Sequence, residues 1–304
     1  MTDNPATVRR YEHRAMATVF EILIAGEDDS FAAGAALEAF AEIDRIEQEL
    51  SRFLPHSDVS RINGLPPGGC ARVGTHAFEC IRQSMLFSEE SGGAFDITLG
   101  GLLDCWIGRD GSLLHPPAER LGAARARKGM DRLHLSGSSM TVGVRGPAPL
   151  VDLGAVGKGY AVDCAAGMLK EWGCSSALVH GGRSSAYAFG DHPSGSGWPV
   201  TLTHPQRAGE LIETIPLKDQ GLGGSGIVRR RHIIDPRTDL PVQERQAAWV
   251  LSGSAARSDA LSTACMVMSA EEIRAMAARL PGFRAVVVEA ETGGVMHAGV
   301  PVRA

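Results

Sequence analysis

Glycine limits this chain more than any other feature. It fills 37 of 304 positions, about 12% against an average near 7%. It also comes in clusters: Pro66-Pro67-Gly68-Gly69, the run from Gly154 to Gly159, Gly181-Gly182, and Gly221 to Gly226. Glycine at this density serves turns, or places where backbone must come close to a ligand. A hydrophobic content of 44% with 21% charged residues is that of a folding chain rather than a disordered one. Its length suits one large domain or two small ones and buries a core without metal clips or disulfides.

Charge and composition remove several function classes. The net charge of −5 disfavours a phosphate-tracking surface, and 5% aromatic residues leave little for base stacking, so nucleic acid is not an expected partner. Cys70, Cys80, Cys105, Cys164, Cys174 and Cys265 form no CxxC pair and flank no spaced His pair, which argues against structural zinc. They are expected to be reduced, buried thiols. The start of the chain is polar, and Arg9-Arg10 is not followed by an apolar stretch. No run is long enough to span a membrane. The expectation is a cytoplasmic protein with a polar N-terminal segment (1–15) and one functional unit (16–304).

Periodicity outlines the elements. Thr18 to Ala25 reads as a strand, and Asp28-Asp29-Ser30 as the cap of a helix carrying Leu37, Phe40, Ile43, Ile46 and Leu50 on one stripe. Pro55 ends that helix region. Ser57 to Asn63 suggests a short turn of helix, and Thr75 to Glu90 a second amphipathic helix. Gly93 to Trp106 reads as an apolar loop, Leu133 to Val144 as a strand pair, and Val151 to Tyr160 as a glycine-rich turn opening a helix that reaches Trp172. Further expectations are a strand at Ala177 to His180, a hairpin at 198–217, a glycine cluster at 221–226, a strand-like 227–231, a turn-rich loop at 232–241 and a strand at 247–251. A helix at 254–268, a capping box at Ser269-x-x-Glu272 and a closing hairpin over 284–302 complete the chain. Helices and strands mix without a βαβ rhythm, which favours α+β.

Four stretches carry chemistry. Asp152-Leu153-Gly154-Ala155-Val156-Gly157-Lys158-Gly159-Tyr160 has the makings of an anion site at a helix N-terminus, with a lysine for phosphate. It has neither P-loop nor Rossmann spacing, and a plain helix cap with a solvated lysine explains it as well. Asp259 and Thr263, four apart, share a helix face and offer oxygen ligands to a hard cation; a dipole-favouring carboxylate and a back-bonded threonine are the alternative. Arg229 to Thr238 crowds cations around His232 and an Asp-Pro turn, fitting either an anionic ligand with His232 as proton acceptor or a solvated charge run. Gly93-Ala94-Phe95-Asp96-Ile97-Thr98 can wrap a ring edge or pack as core.

Together these blocks resemble the ApbE-type FAD:protein FMN transferases. The matching residues are Met16-Ala17-Thr18, Leu50-Ser51-Arg52-Phe53, Ser57 to Asn63, Gly93 to Thr98, Val151 to Asp163, Gly181-Gly182, His232 to Thr238 and Asp259 to Thr263. They occur in family order over residues 16–263. The resemblance implies an α+β fold related to the tunnelling fold, with mixed or antiparallel sheets and packed helices. It implies FAD as substrate, with Met16 and Phe53 on the isoalloxazine side and Ala94, Phe95, Asp96 and Ile233 at the adenosine end. Asp152 and Lys158 would also contact FAD. The Ala155 carbonyl, Asp259 and Thr263 would hold Mg²⁺, and His232 would be the catalytic base. The implied reaction moves FMN from FAD to a Thr or Ser hydroxyl in a flexible loop of an acceptor flavoprotein, releasing AMP. A Mg²⁺-dependent FAD pyrophosphatase and a catalytically silent FAD-binding protein are the alternatives. The chain departs from the family pattern in having Ala17 in Met-x-Thr where glycine is usual, Gly224-Ser225-Gly226 for Thr-Ser-Gly, and Asp239 for the glycine after Thr238.

Overall fold

The computed structural model describes residues 7–108, 110–227 and 233–299. Its main feature is an eight-stranded sheet of β1 (Val8–Ala15), β2 (Thr18–Ala25), β6 (Ala177–Gly181), β7 (Ser185–Phe189), β10 (Gln220–Gly226), β11 (Arg245–Ser252), β12 (Arg284–Glu289) and β13 (Val295–Ala298), in that spatial order. Every neighbouring pair is antiparallel. A three-stranded sheet joins β3 (Cys70–Arg72), β5 (Thr141–Val144) and β4 (Leu133–Ser136), and β8 (Trp198–Thr203) pairs with β9 (Leu211–Leu217) as a hairpin. The fold is α+β, as expected.

Strand alternation divides the apolar residues between two cores. Phe20, Ile22 and Ile24 of β2, Val179 of β6, Val250 of β11 and Val287 of β12 face the helices. Leu178, Leu251 and Val286 point the other way and are covered by Trp198, Leu202, Ile215 and Leu217 of the β8–β9 hairpin. The helical layer contains α1 (Asp29–Leu50), α6 (Gly157–Glu171) and α7 (Ala255–Val267), with α3 (Thr75–Glu90) packed on α1 and α7. Short α2 (Asp58–Asn63) sits beside α1, and α8 (Ala270–Arg279) lies near β12 and β13.

The element starts follow from local chemistry. Asp28 Oδ1 accepts from the Ser30 and Phe31 amides at 3.0 Å, capping α1. Ser269 and Glu272 form the expected capping box of α8. Small α1 residues on the buried stripe, Ala32, Ala35, Ala36 and Ala39, let α6 approach closely.

Four local expectations change. Residues 8–15, read as polar N-terminal segment, are the edge strand β1; its charged side chains face solvent on an edge with a single neighbour. The apolar loop to Trp106 contains a helix, α4 (Gly100–Trp106), which packs with α5 (Ala118–Arg125) around Leu102, Leu103, Trp106, Leu121 and Ile234. The glycine cluster 221–226 is the central strand β10, and β7 fills an interval in which no element was expected. Of the strand-like stretch 227–231, only Ile227 lies within the described residues. Cys70 is exposed and Cys164 half-buried, so the thiols are free but not all buried.

Candidate functional site

The glycines of β10 explain how the site is built. A Cβ on Gly223 would collide with the Asp259 amide nitrogen and the Ser258 carbonyl carbon, and one on Gly159 would strike the Ala255 carbonyl. Helix α7 therefore lies backbone to backbone on β10 and on the first turn of α6. That contact brings Asp259 to the glycine-rich turn, 100 residues away in sequence.

Asp259 is fully buried as a carboxyl group, with one oxygen satisfied and one not. Oδ2 accepts from the Gly159 amide at 2.8 Å and from Ser185 Oγ at 2.6 Å. Oδ1 is buried and has no hydrogen-bond partner among the described residues. Burial pushes its pKa up to about 7, against the opposing pull of Lys158, Ser185 and the Gly159 amide. Thr263, one turn on, shares its hydroxyl with Ser225 Oγ at 2.9 Å and the Asp259 carbonyl at 3.3 Å. Gly159 is the third residue of α6, so its amide has no partner within the helix, and Asp259 supplies one.

The turn itself is pinned at both ends. The Asp152 amide donates to the Ile97 carbonyl at 2.8 Å, joining it to the 93–98 loop. Asp152 Oδ1 accepts from the Gly154 amide at 2.7 Å, and Lys158 Nζ donates to the Gly154 carbonyl at 3.3 Å. Met16 sits in the two-residue turn between β1 and β2 and lies against Gly157, its Cε 3.3 Å from where a Cβ would stand.

Phe53, just beyond α1, is 78% exposed, and the Arg52 guanidinium lies over its ring at 4.6 Å. The ring thus offers an aromatic surface to solvent, with Arg52 against one face. Asp96 is half-buried; its Oδ1 accepts from the Thr98 amide and hydroxyl, both at 2.6 Å, and burial raises its pKa. Ala94, Phe95 and Ile233 are each under 5% exposed. Their side chains are core, so backbone is what they can offer a ligand.

Met16 meets the glycine-rich turn at Gly157, Asp259 reaches it at Gly159 with Thr263 one helical turn on, and Asp152 links the turn to the 93–98 loop at Ile97 and through Arg52 to Phe53. Ile233 stands in the neighbouring 233–242 hairpin, closed by the Val242 amide on its carbonyl at 2.9 Å. His232 lies outside the described residues. Sequence reading missed Ser185, a hydroxyl set by strand pairing with no local pattern to announce it, and named Ser225 only within the Gly224-Ser225-Gly226 departure, without a role. It also missed the further role of Asp163, which accepts from the Ala255 and Ala256 amides at 2.7 and 2.9 Å and fixes the start of α7. Burial lifts the Asp163 pKa to about 6. Among the described residues no cluster of three His, Cys, Asp or Glu side chains exists to hold a metal, and no helix is long and apolar enough to cross a membrane.

The profile of the ApbE family matches residues 16–287. The chain belongs to the ApbE family. The FAD:protein FMN transferase of Klebsiella pneumoniae (strain 342) is 26% identical over 282 residues, covering 88% of this chain and 80% of the relative. The Vibrio cholerae serotype O1 FAD:protein FMN transferase is 29% identical, covering 78% and 75%. Among solved structures, the apo flavinyl transferase ApbE of Pseudomonas stutzeri superposes with a TM-score of 0.83 at 29% identity, covering 96% of this chain and 94% of that one. The ApbE protein of Thermotoga maritima gives 0.86 at 25% identity, covering 96% and 97%. The ApbE fold expected from the motifs is therefore the fold of this chain.

Proposed function

We propose that this ApbE-family chain is an FAD:protein FMN transferase that moves FMN from FAD to a Thr or Ser hydroxyl of an acceptor protein, with Mg²⁺ at Asp259. The observation that carries the metal assignment is the buried Asp259 Oδ1, without a hydrogen-bond partner among the described residues and one helical turn from the Thr263 hydroxyl; the Ala155 carbonyl belongs to the turn whose Gly159 amide binds the same carboxylate. One carboxylate, one hydroxyl and one carbonyl make an all-oxygen donor set that suits a hard, partly hydrated cation. When bound, Mg²⁺ neutralises charge on the pyrophosphate and makes AMP a better leaving group.

The protein's own residues supply the rest. Lys158, in the first turn of α6, brings a full positive charge to the positive end of that helix, where a pyrophosphate is favoured. Phe53 and Met16 provide apolar surface for the isoalloxazine, and Asp152 a carboxylate for FAD hydroxyls. The acceptor oxygen attacks the FMN phosphorus, the P–O bond to AMP breaks, and AMP departs with the electron pair. The acceptor's proton goes to a base, a role the sequence assigns to His232. A high-pKa hydroxyl is a weak nucleophile, so base and charge neutralisation are both required.

The deciding experiment incubates the protein with FAD, Mg²⁺ and a candidate flavoprotein subunit having a Thr or Ser in a flexible loop. Expected are in-gel flavin fluorescence and a mass gain equal to an FMN phosphoester, with AMP release dependent on the acceptor. AMP at the same rate without acceptor, and no flavin on any protein, would establish the pyrophosphatase instead. Asp259→Ala should keep part of its FAD binding and lose the response to Mg²⁺ in calorimetric titration. His232→Ala should lose roughly 100- to 10,000-fold in transfer rate while still binding FAD.

A further inference from the structure

Between the exposed Phe53 ring and the glycine-rich turn stands a side chain with every face engaged. Arg52 Nη1 and Nη2 donate to Asp104 Oδ2 and Oδ1 at 3.2 and 2.8 Å, a two-pronged pair with α4. Its Nε lies 2.7 Å from Asp152 Oδ2, off the N–H axis, so the two meet as charges more than as an aligned hydrogen bond. Its flat face covers Phe53 at 4.6 Å. The side chain is only 14% exposed, whereas Asp104 is 49% exposed. One guanidinium thus ties together an aromatic ring, a carboxylate and a helix that comes no nearer the ligand.

We propose that Arg52, anchored by Asp104, is the positioning residue of the flavin-binding wall. This rests on the reading of Phe53 and Asp152 as FAD contacts. The physical argument has two parts. A bare phenylalanine samples several rotamers, and ordering it on binding weakens affinity; a cation fixed over one face selects the ring plane in advance. Asp152, left uncompensated, would repel a pyrophosphate brought to Lys158. Arg52 cancels that charge and leaves the carboxylate able to accept a ligand hydroxyl. Only a planar, forked cation satisfies all three contacts, so lysine cannot replace it. Asp104 is placed to act through Arg52, whose guanidinium its carboxylate holds in a two-pronged pair.

The test measures FAD affinity by calorimetry in Mg²⁺ and steady-state transfer for Arg52→Lys, Asp104→Asn and their combination. Arg52→Lys should raise the Kd for FAD about tenfold, with the loss falling on KM more than on kcat. Asp104→Asn should raise it about threefold, the scale of a part-exposed ion pair. The double variant should be no weaker than Arg52→Lys, because Asp104 has nothing left to orient. Parental affinity in Arg52→Lys, or full additivity in the double variant, overturns the inference. Should Arg52→Lys fail to fold, Asp104→Asn decides: parental KM and Kd there overturn it as well. Phe53→Ala and Asp152→Asn separate the two levels. If both bind FAD as the parent does, the flavin site itself is misplaced and the inference falls with it; if both weaken binding while Arg52→Lys does not, only the inference falls.

Discussion

Two residues adopt left-handed backbone at positions where the family pattern has glycine, and their energetics run in opposite directions. Ala17 has φ of 58° and is exposed, with no side-chain contact to repay the conformation. A left-handed L-residue costs roughly 1–2 kcal/mol, part of which the greater unfolded-state freedom of glycine cancels. Ala17→Gly should therefore stabilise the protein by about 0.5–1 kcal/mol, read as a higher urea midpoint at unchanged slope. Asp239 has φ of 64°, but its carboxylate is held by Arg125 and Lys128 and its carbonyl accepts from Trp106 Nε1 at 2.8 Å. Relief of strain is smaller than two charge-assisted bonds lost, so Asp239→Gly should destabilise by about 2 kcal/mol. Asp163 adds a pH signature. Its pKa is raised from 3.8 to about 6, so between those values the unfolded chain is ionised while the folded one still holds the proton. The folded state then binds more protons, and stability from this group is full below about pH 4 and falls as pH rises to about 6. Relative to Asp163→Asn, the parent should lose about 3 kcal/mol across that window; equal slopes for the two proteins in denaturation at several pH values would contradict the assignment.

At the scale of elements, what could be read in advance depended on whether an element's partner is water or another backbone. Helices α1 and α3 announce themselves because one face is wet, which writes a 3.6-residue stripe into the sequence. The Asp28 cap and the Ser269/Glu272 box are local chemistry and are legible for that reason. Strand β10 was not, since its QGLGGSG carries almost no apolar signal. Its glycines serve the close approach of α7, a fact belonging to the tertiary structure. Helix α4 begins with two glycines and reads as a loop until α5 and Ile234 supply its core. The candidate site shows the same division: Asp259, Thr263 and Lys158 lie in recognisable blocks, while Ser185 enters only through strand register and Ser225 gains its role from it. The α7–β10 contact makes a sharp prediction. Gly223→Ala forces a methyl group into the Ser258–Asp259 backbone, where neither main chain can yield without shifting the helix, so a loss of about 2–3 kcal/mol is expected. Asp259 should move with its helix, and the Mg²⁺ response of FAD binding should weaken even under conditions where the variant is fully folded. Gly253→Ala, with open space at that point, is the control and should leave the response intact.

Across the whole molecule, the sheet order assembles a cleft from distant parts of the chain. Strand β2 pairs with β6, placing Phe20 opposite Gly181, and β7 pairs with β6 on one side and with β10, not β8, on the other. The β1–β2 turn with Met16 therefore reaches the start of α6, and α7 crosses β10 to meet the same turn. The 93–98 loop arrives from outside the main sheet, fastened by the Leu99–Leu150 bridge and the Ile97–Asp152 hydrogen bond. No two of these segments are adjacent in sequence, and the proposed function has one FAD molecule touch them all. Ligand binding stabilises every local opening that would release it. Hydrogen exchange with FAD and Mg²⁺ should consequently slow amides in residues 16–18, 94–98, 153–159 and 259–263 together, leaving the β8–β9 hairpin on the opposite face of the sheet unchanged. FAD alone should protect the first three stretches, and adding Mg²⁺ should extend protection to the 259–263 turn of α7. Protection confined to one stretch, or spread equally to β8–β9, would mean that FAD does not bridge these segments, and the cleft would have to be sought elsewhere on the fold.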